Sequence, residues 1–274
     1  MPTDPLTRLL GADDSHRPRL VWYSDSERIE LTGHVLAMWL SKTAGLIDTE
    51  SQPPQGLHLG APLHWRTVAW ACGAWLAGRE VILGSGPLLA EAGIVPGLSM
   101  AFTPEELCPS AEAQALCPQD SLAVRWPGRL PPLVLDGAAD LMSQPDSYSP
   151  APAQPHDRAL TRLAPDGSLS SLTRAELLDG LVDAGGADAA RAADPAGSAG
   201  PAGPAGPAGP AGPAGPAGRA EHAGRARAVL VRRQDRAGAL REVLGAWGQG
   251  RCAVILAPGT SRERAALAAR QEGC

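Results

Sequence analysis

The sequence predicts an α/β fold, a three-layer domain with a mainly parallel sheet. Three observations carry that expectation. Residues 56–84, GLHLGAPLHWRTVAWACGAWLAGREVILG, read as strand, helix, strand, the crossover unit that joins parallel neighbours. A second α-to-β step follows over residues 87–102. Residues 228–256 then repeat the strand–helix–strand pattern far downstream.

Taken in order, residues 3–10 predict a short helix with Thr3 as its cap. Residues 20–23 and 28–31 form a hairpin around Ser24-Asp25-Ser26-Glu27. Thr32 caps a helix to about Ile47, whose apolar positions Val35, Leu36, Trp39, Leu40, Leu46 and Ile47 keep near-helical spacing. In the crossover, Trp65, Val68, Ala69, Cys72, Trp75 and Leu76 share one helical stripe, and Gly78 stops the helix. Trp70 falls off that stripe, on a side that is exposed or faces an interface. Val81–Leu83 is a short apolar run, as a strand buried on both faces must be.

Residues 87–92 give a helical turn and residues 100–102 a strand. Thr103-Pro104-Glu105-Glu106 starts a helix, with a cap, proline at the first position and acids in the first turn. Residues 121–126 give another strand, and 143–156 are loop by composition. Residues 159–163 and 168–172 flank Pro165-Asp166-Gly167, a hairpin signal. Thr173 and Glu176 form a capping box for a helix to about Asp183. The last unit runs from strand 228–231 through helix 236–247 to strand 252–256, with Leu240, Val243, Leu244 and Trp247 on one stripe. A final helix spans about 261–271.

From Gly197 to Gly218 a glycine recurs at every third position, mostly as Gly-Pro-Ala. A collagen-like triple helix needs that period. The run is short and internal, so it reads instead as a repeat expansion, an extended spacer of at most ~70 Å at ~3.1 Å per residue. These readings divide the chain into an α/β domain over 1–183, a low-complexity loop or linker over 184–227, and a terminal βαβ unit over 228–274 that packs back onto the same domain.

Composition narrows the function. The 274 residues carry 44% hydrophobic side chains and a formal net charge of -5, which argues against nucleic acid as a partner. Residues 219–274 hold 11 arginines against 5 acids. That excess reads as solvated helix faces with a basic flank rather than as an anion-binding surface. Lys42 is the sole lysine. Cys72, Cys108, Cys117, Cys252 and Cys274 form no CxxC pair, so neither a zinc site nor a disulfide framework is expected. With no leader-like start and no apolar run approaching ~20 residues, the expectation is a cytoplasmic protein that does not enter a membrane.

Motifs with chemistry are sparse. Gly84-Ser85-Gly86 follows a strand and precedes a helical turn, as a nucleotide-binding turn would, but Leu89 stands where a third glycine is needed. His58 and His64 flank a strand-to-helix turn without a third ligand spaced with them, so no metal is expected. No GxSxG elbow occurs.

The order hairpin, capped helix, APLHWRTVAWACGAWLAGREVIL, then AFTPEEL resembles the N-terminal subdomain of the AMP-dependent synthetase and ligase superfamily. More closely, residues 5–105 and about 228–272 resemble a family of short actinobacterial conserved proteins of unknown function distantly related to those synthetases. LREVLGAWGQGRCAVIL is similar to the synthetase helix and strand that follow the phosphate loop. The resemblance implies a truncated N-terminal half of an adenylate-forming synthetase, with ATP or AMP as the ligand.

It also places the phosphate loop near residues 161–173, TRLAPDGSLSSLT, where Thr161, Gly167 and Ser168 are the candidate contacts. The family's loop is rich in glycine and ends in Pro-Lys-Gly. This stretch has one glycine and no lysine, whereas a phosphate cradle needs converging backbone N–H groups and a cation. The family's Tyr-x-Thr-Glu and Thr-Gly-Asp elements are missing as well.

The expectation is therefore a degenerate ligase-like protein with no catalytic residues and no required cofactor. It would act as a binding or interaction module for a protein partner or a small acyl or nucleotide ligand, in an undetermined oligomeric state. The alternative is an enzyme of the AMP-forming ligase class that retains adenylate, nucleotide or acyl-group binding. A structural oligomer organised by the Gly-Pro-Ala tract ranks third.

Overall fold

A computed structural model of the chain describes residues 4–11, 15–179, 228–233 and 235–274. The Gly-Pro-Ala tract lies outside the described residues, as does the predicted cap Thr3. The first helix, α1 (Pro5–Leu10), is capped by Asp4, whose carboxylate accepts the Thr7 N–H at 2.9 Å. The hairpin β1 (Pro18–Tyr23) and β2 (Arg28–Thr32) is antiparallel as expected, and Thr32 caps α2 (Gly33–Glu50). The crossover appears as β3 (Leu57–Leu59), α3 (Trp65–Leu76) and β4 (Val81–Leu83), with β3 and β4 parallel. Then come α4 (Gly86–Glu91), β5 (Leu98–Ala101), β6 (Ala113–Leu116), β7 (Val134–Asp136) and α5 (Ala139–Met142).

The second hairpin is β8 (Arg158–Leu163) and β9 (Leu169–Thr173), leading through the Thr173–Glu176 capping box into α6 (Arg174–Leu178). The helix predicted to reach Asp183 ends at Leu178, with Asp179 as its C-cap. The downstream unit is β10 (Ala228–Leu230), α7 (Arg236–Gly248) and β11 (Cys252–Leu256), and α8 (Arg262–Glu272) follows.

The strands divide between two sheets. Seven run in the order β7-β6-β5-β3-β4-β8-β9, and every pair but β8–β9 is parallel. The other four run β10-β11-β1-β2. Here β11 lies parallel between β10 and β1, so the downstream unit completes a sheet begun by the first hairpin. The mixed α/β, mainly parallel architecture is the one expected.

Helix α3 lies between the sheets. It packs on α2 and on strands β1, β3 and β4, which belong to different sheets. All twelve of its residues are buried. Trp70, expected on an exposed or interface-facing side, is only 2% exposed. A helix covered on all sides has no solvent stripe, so its amphipathic pattern fails to mark an outer face. Cys72 sits in this core as expected, and burial raises its thiol pKa. Small residues let the neighbours close in. A Cβ on Gly73 would fall 2.6 Å from the Thr43 side chain of α2. Gly73→Val is expected to force the two helices apart and cost at least ~2 kcal/mol by urea unfolding. An unchanged midpoint would show that the contact yields.

Two predicted elements are corrected. Residues 121–126 form a loop, and the strands lie on either side, at β6 and β7. The buried Arg66 guanidinium takes the Ser121 and Ala123 carbonyls at 3.2 and 2.7 Å, which removes them as ladder acceptors. The helix expected from Thr103 is a single 3-10 turn, Pro104–Glu106. Thr103 makes no side-chain cap bond there, and Pro109 biases Cys108 toward extended backbone.

Candidate functional site

A cavity of about 500 Å³ opens at the ends of β3, β4 and β8. Ligands of parallel sheets commonly sit at the carboxyl ends of the strands. Its walls include the Gly84-Ser85-Gly86 turn, Glu105 and Glu106 from the 3-10 turn, Arg162 and Pro165 from the β8–β9 hairpin, and the start of α7 at Asp235 and Arg236. Glycine at 86 has a packing reason: a Cβ there would sit 2.2 Å from the Leu107 carbonyl oxygen. Ser85 is the N-cap of α4, yet its side chain makes no capping bond.

Arg236 anchors the site. Its guanidinium donates to the carbonyls of Leu59, of Ala61 at 2.9 Å and of Gly84 at 3.4 Å. These contacts tie α7 to the ends of β3 and β4. Burial lowers the Arg236 pKa; Glu106 opposes that shift and the like charge of Arg162 adds to it. Two cations and three carboxylates therefore share one mouth, a mixed-charge site rather than a basic one.

Of the six candidate residues, Gly84, Ser85 and Gly86 line the cavity, whereas Thr161, Gly167 and Ser168 do not. Thr161 is buried and its hydroxyl donates to Glu80 at 2.7 Å. Gly167 takes the positive φ of 82° that the hairpin turn needs. Ser168 is committed to Asp166, whose carboxylate accepts both its N–H at 2.9 Å and its hydroxyl at 2.7 Å. The turn is also closed on itself: Ala164 N–H donates to the Ser168 carbonyl and Gly167 N–H to the Ala164 carbonyl, each at 2.9 Å. Lys42 is elsewhere, held by the Gln144 carbonyl and Asp146.

The residues missed from sequence are Arg162, Arg236, Glu105 and Glu106. Arg236 had one local signal, its place directly after the helix cap Asp235. Glu105 and Glu106 read as the opening acids of a helix, which hid their place on the cavity wall.

The two histidines are structural. On β3, His58 Nδ1 meets the Ser99 hydroxyl at 2.8 Å and Nε2 meets the Gly84 carbonyl at 3.3 Å. Because Ser99 Oγ also accepts the Cys108 N–H, its own proton goes to Nδ1, leaving Nε2–H for Gly84. His64 caps α3, with Nδ1 accepting the Arg66 N–H at 3.1 Å. That assignment puts its proton on Nε2, 3.4 Å from the Ser121 hydroxyl, which in turn donates to Glu27 at 2.9 Å. The Ser121 proton runs away from the imidazole, so His64 is not a base for Ser121. Among the described residues no cluster of three or more His, Cys, Asp or Glu side chains is arranged to hold a metal.

No protein-family model matches the chain. An 88-residue stretch is 36% identical to a TIGR03089 family protein of Mycobacterium tuberculosis, over 31% of this chain and 35% of that protein. Among solved structures, the Brucella canis acyl-CoA synthetase superposes with a TM-score of 0.67 at 14% identity, over 98% of this chain and 46% of that one. A mutant form of coronafacic acid ligase from Pectobacterium brasiliense gives 0.64 at 11% identity, over 100% and 49%. The fold is that of the N-terminal part of an AMP-forming ligase. The chain spans about a third of the length of the curated relative and just under half of each of these two ligases. The local similarity to this mycobacterial protein and the likeness in fold to these ligases are what the resemblance to a short actinobacterial family and to AMP-dependent synthetases led one to expect. No described helix is long and apolar enough to cross a membrane.

Proposed function

We propose that this chain uses the ligase fold as a non-catalytic binding module and does not form adenylates. The observation that carries the reading is the β8–β9 turn. It occupies the place the resemblance gives to the phosphate loop, and its chemistry opposes that role. The Ala164 and Gly167 N–H groups are spent on the turn's own carbonyls, the Ser168 N–H is spent on Asp166, and a carboxylate stands at the tip. A triphosphate would meet a negative charge with no lysine beside it, whereas phosphoryl transfer relies on positive groups aimed at the developing charge.

ATP–pyrophosphate exchange tests this reading directly. With panels of fatty, aryl and amino acids, exchange is expected to stay at the no-enzyme level. Acid-dependent exchange above that level would overturn the reading.

A second reading has one observation behind it. The cavity at Gly84–Gly86 is large enough for an acyl or nucleotide fragment, and Arg162 and Arg236 stand on its wall. Under that reading the chain keeps adenylate, nucleotide or acyl-group binding of the ligase class. Ligand binding would then be lost in Arg162→Ala.

A further inference from the structure

Helix α8 is loosely held. Of its eleven residues only Ala268 is buried. Polar contacts make up much of the rest of its docking: Glu272 accepts from Tyr23 Oη at 2.5 Å and from Arg28 Nε at 3.0 Å, and Arg264 Nε donates to the Ser24 carbonyl at 3.0 Å. Only one of these contacts, Arg28 with Glu272, is an ion pair, and its arginine is exposed to solvent, where such pairs contribute little.

The path of the chain brings two cysteines together here. Strand β11 covers about 16 Å at ~3.3 Å per residue, and α8 returns about 16 Å at ~1.5 Å per residue. Glu272 and Cys274 at the far end of α8 act electrostatically on the Cys252 thiol, together with Glu30 and Arg28 of β2, so the helix end returns to the neighbourhood of Cys252. Cys252 and Leu256 pack against the small cluster that holds Val254 and Ala268, which places their side chains on the face that α8 covers. At the other side, Gly273 adopts a φ of 68° and the Cys274 N–H returns to the Ala269 carbonyl at 3.0 Å. That cap fixes Cys274 at the helix end.

We propose that Cys252 and Cys274 are a redox-sensitive clip, whose disulfide fastens α8 to the four-stranded sheet. Selectivity follows from exposure. Cys274 is exposed and Cys252 half-buried, whereas Cys72, Cys108 and Cys117 are fully buried. The oxidant is a low-molecular-weight disulfide. The Cys274 thiolate attacks one of its sulfurs, forms a mixed disulfide and expels one thiolate. Cys252 then loses its proton to solvent and attacks Cys274 Sγ, forming the protein disulfide and expelling the second thiolate. Two electrons pass from the cysteine pair to the small disulfide. Burial, with Glu272 and Cys274 adding, pushes the Cys252 thiol up to about 12. A thiol of high pKa is a slow attacker but also a poor leaving group, so the bond resists reduction once made.

The full chain, incubated with oxidised glutathione at pH ~8.5 to populate thiolate, acid-quenched and digested, is expected to yield a peptide joining Cys252 to Cys274 within one chain. Amide hydrogen exchange over residues 262–272 is expected to slow at least ~10-fold, because local opening of the helix is suppressed. Cys252→Ser is expected to stop at a glutathione adduct on Cys274, with exchange unchanged. Three results would overturn the proposal: a wild-type protein that stops at the same adduct, cross-links between chains through Cys274, or an intramolecular bond that leaves exchange unaltered.

Discussion

Replacing Arg174 by alanine is expected to lower the unfolding free energy by about 3–5 kcal/mol, the cost of breaking a buried ion pair from one side. The Arg174 side chain is 1% exposed and that of Asp4 2%. Its Nε and NH2 groups donate to the same Asp4 oxygen at 3.0 and 2.9 Å, NH2 also to the Thr7 hydroxyl at 3.0 Å, and NH1 to the Trp75 carbonyl at 3.1 Å. One guanidinium thus joins the cap of α1, the end of α3 and the start of α6. Removing it strands a buried carboxylate that also caps α1. Removing both charges leaves no such orphan, so the Asp4→Ala, Arg174→Met pair is expected to recover part of the loss. Urea midpoints of the two variants decide it. A single variant within ~0.5 kcal/mol of wild type would show that the pair opens to water.

Acid is the second large effect. Burial holds His58 down at about 4, with the Gly84 hydrogen bond opposing and Arg236 adding. Burial and the neighbouring charge of Arg66 hold His64 at about 3. Both folded values lie below the ordinary 6.5, so the unfolded chain binds more protons between them and stability must fall as pH falls. The contribution is whole above pH ~6.5 and is lost progressively down to the folded pKa values. Between pH 7 and 5 each buried imidazole is expected to cost about 1.8 kcal/mol, together about 3–4. His64→Asn keeps an N-cap acceptor without a titrating ring. In that variant the pH slope is expected to fall by about half. A wild-type midpoint that is flat from pH 7 to 5 would mean that both rings take up protons in place.

Much of this architecture was legible because local chemistry and tertiary role agree. Thr32, Thr173 with Glu176, and Ser261 cap their helices as their residue types demand. The Pro165-Asp166-Gly167 turn closes its hairpin. What sequence could not show was which strands meet. Pairing of β11 with β1 joins residues more than 230 positions apart, and no local pattern encodes that. Trp70 was misplaced for the same reason, since a helix covered by two sheets carries no polar stripe. The misread strand at 121–126 depended on Arg66, a buried cation reaching across from α3 to collect carbonyls. Half of the candidate site was in view, as Gly84, Ser85 and Gly86 stand on the cavity wall. The other half arrives from the 3-10 turn, the β8–β9 hairpin and the start of α7, which only the fold brings together.

Isothermal titration of the folded protein with Mg-ATP, AMP and a non-hydrolysable acyl-adenylate analogue bears most directly on the proposed non-catalytic reading. The closed β8–β9 turn with Asp166 at its tip predicts no heat from Mg-ATP. Mg-ATP binding tighter than ~100 μM, about 5.5 kcal/mol, would contradict it and favour the reading in which the chain keeps nucleotide binding.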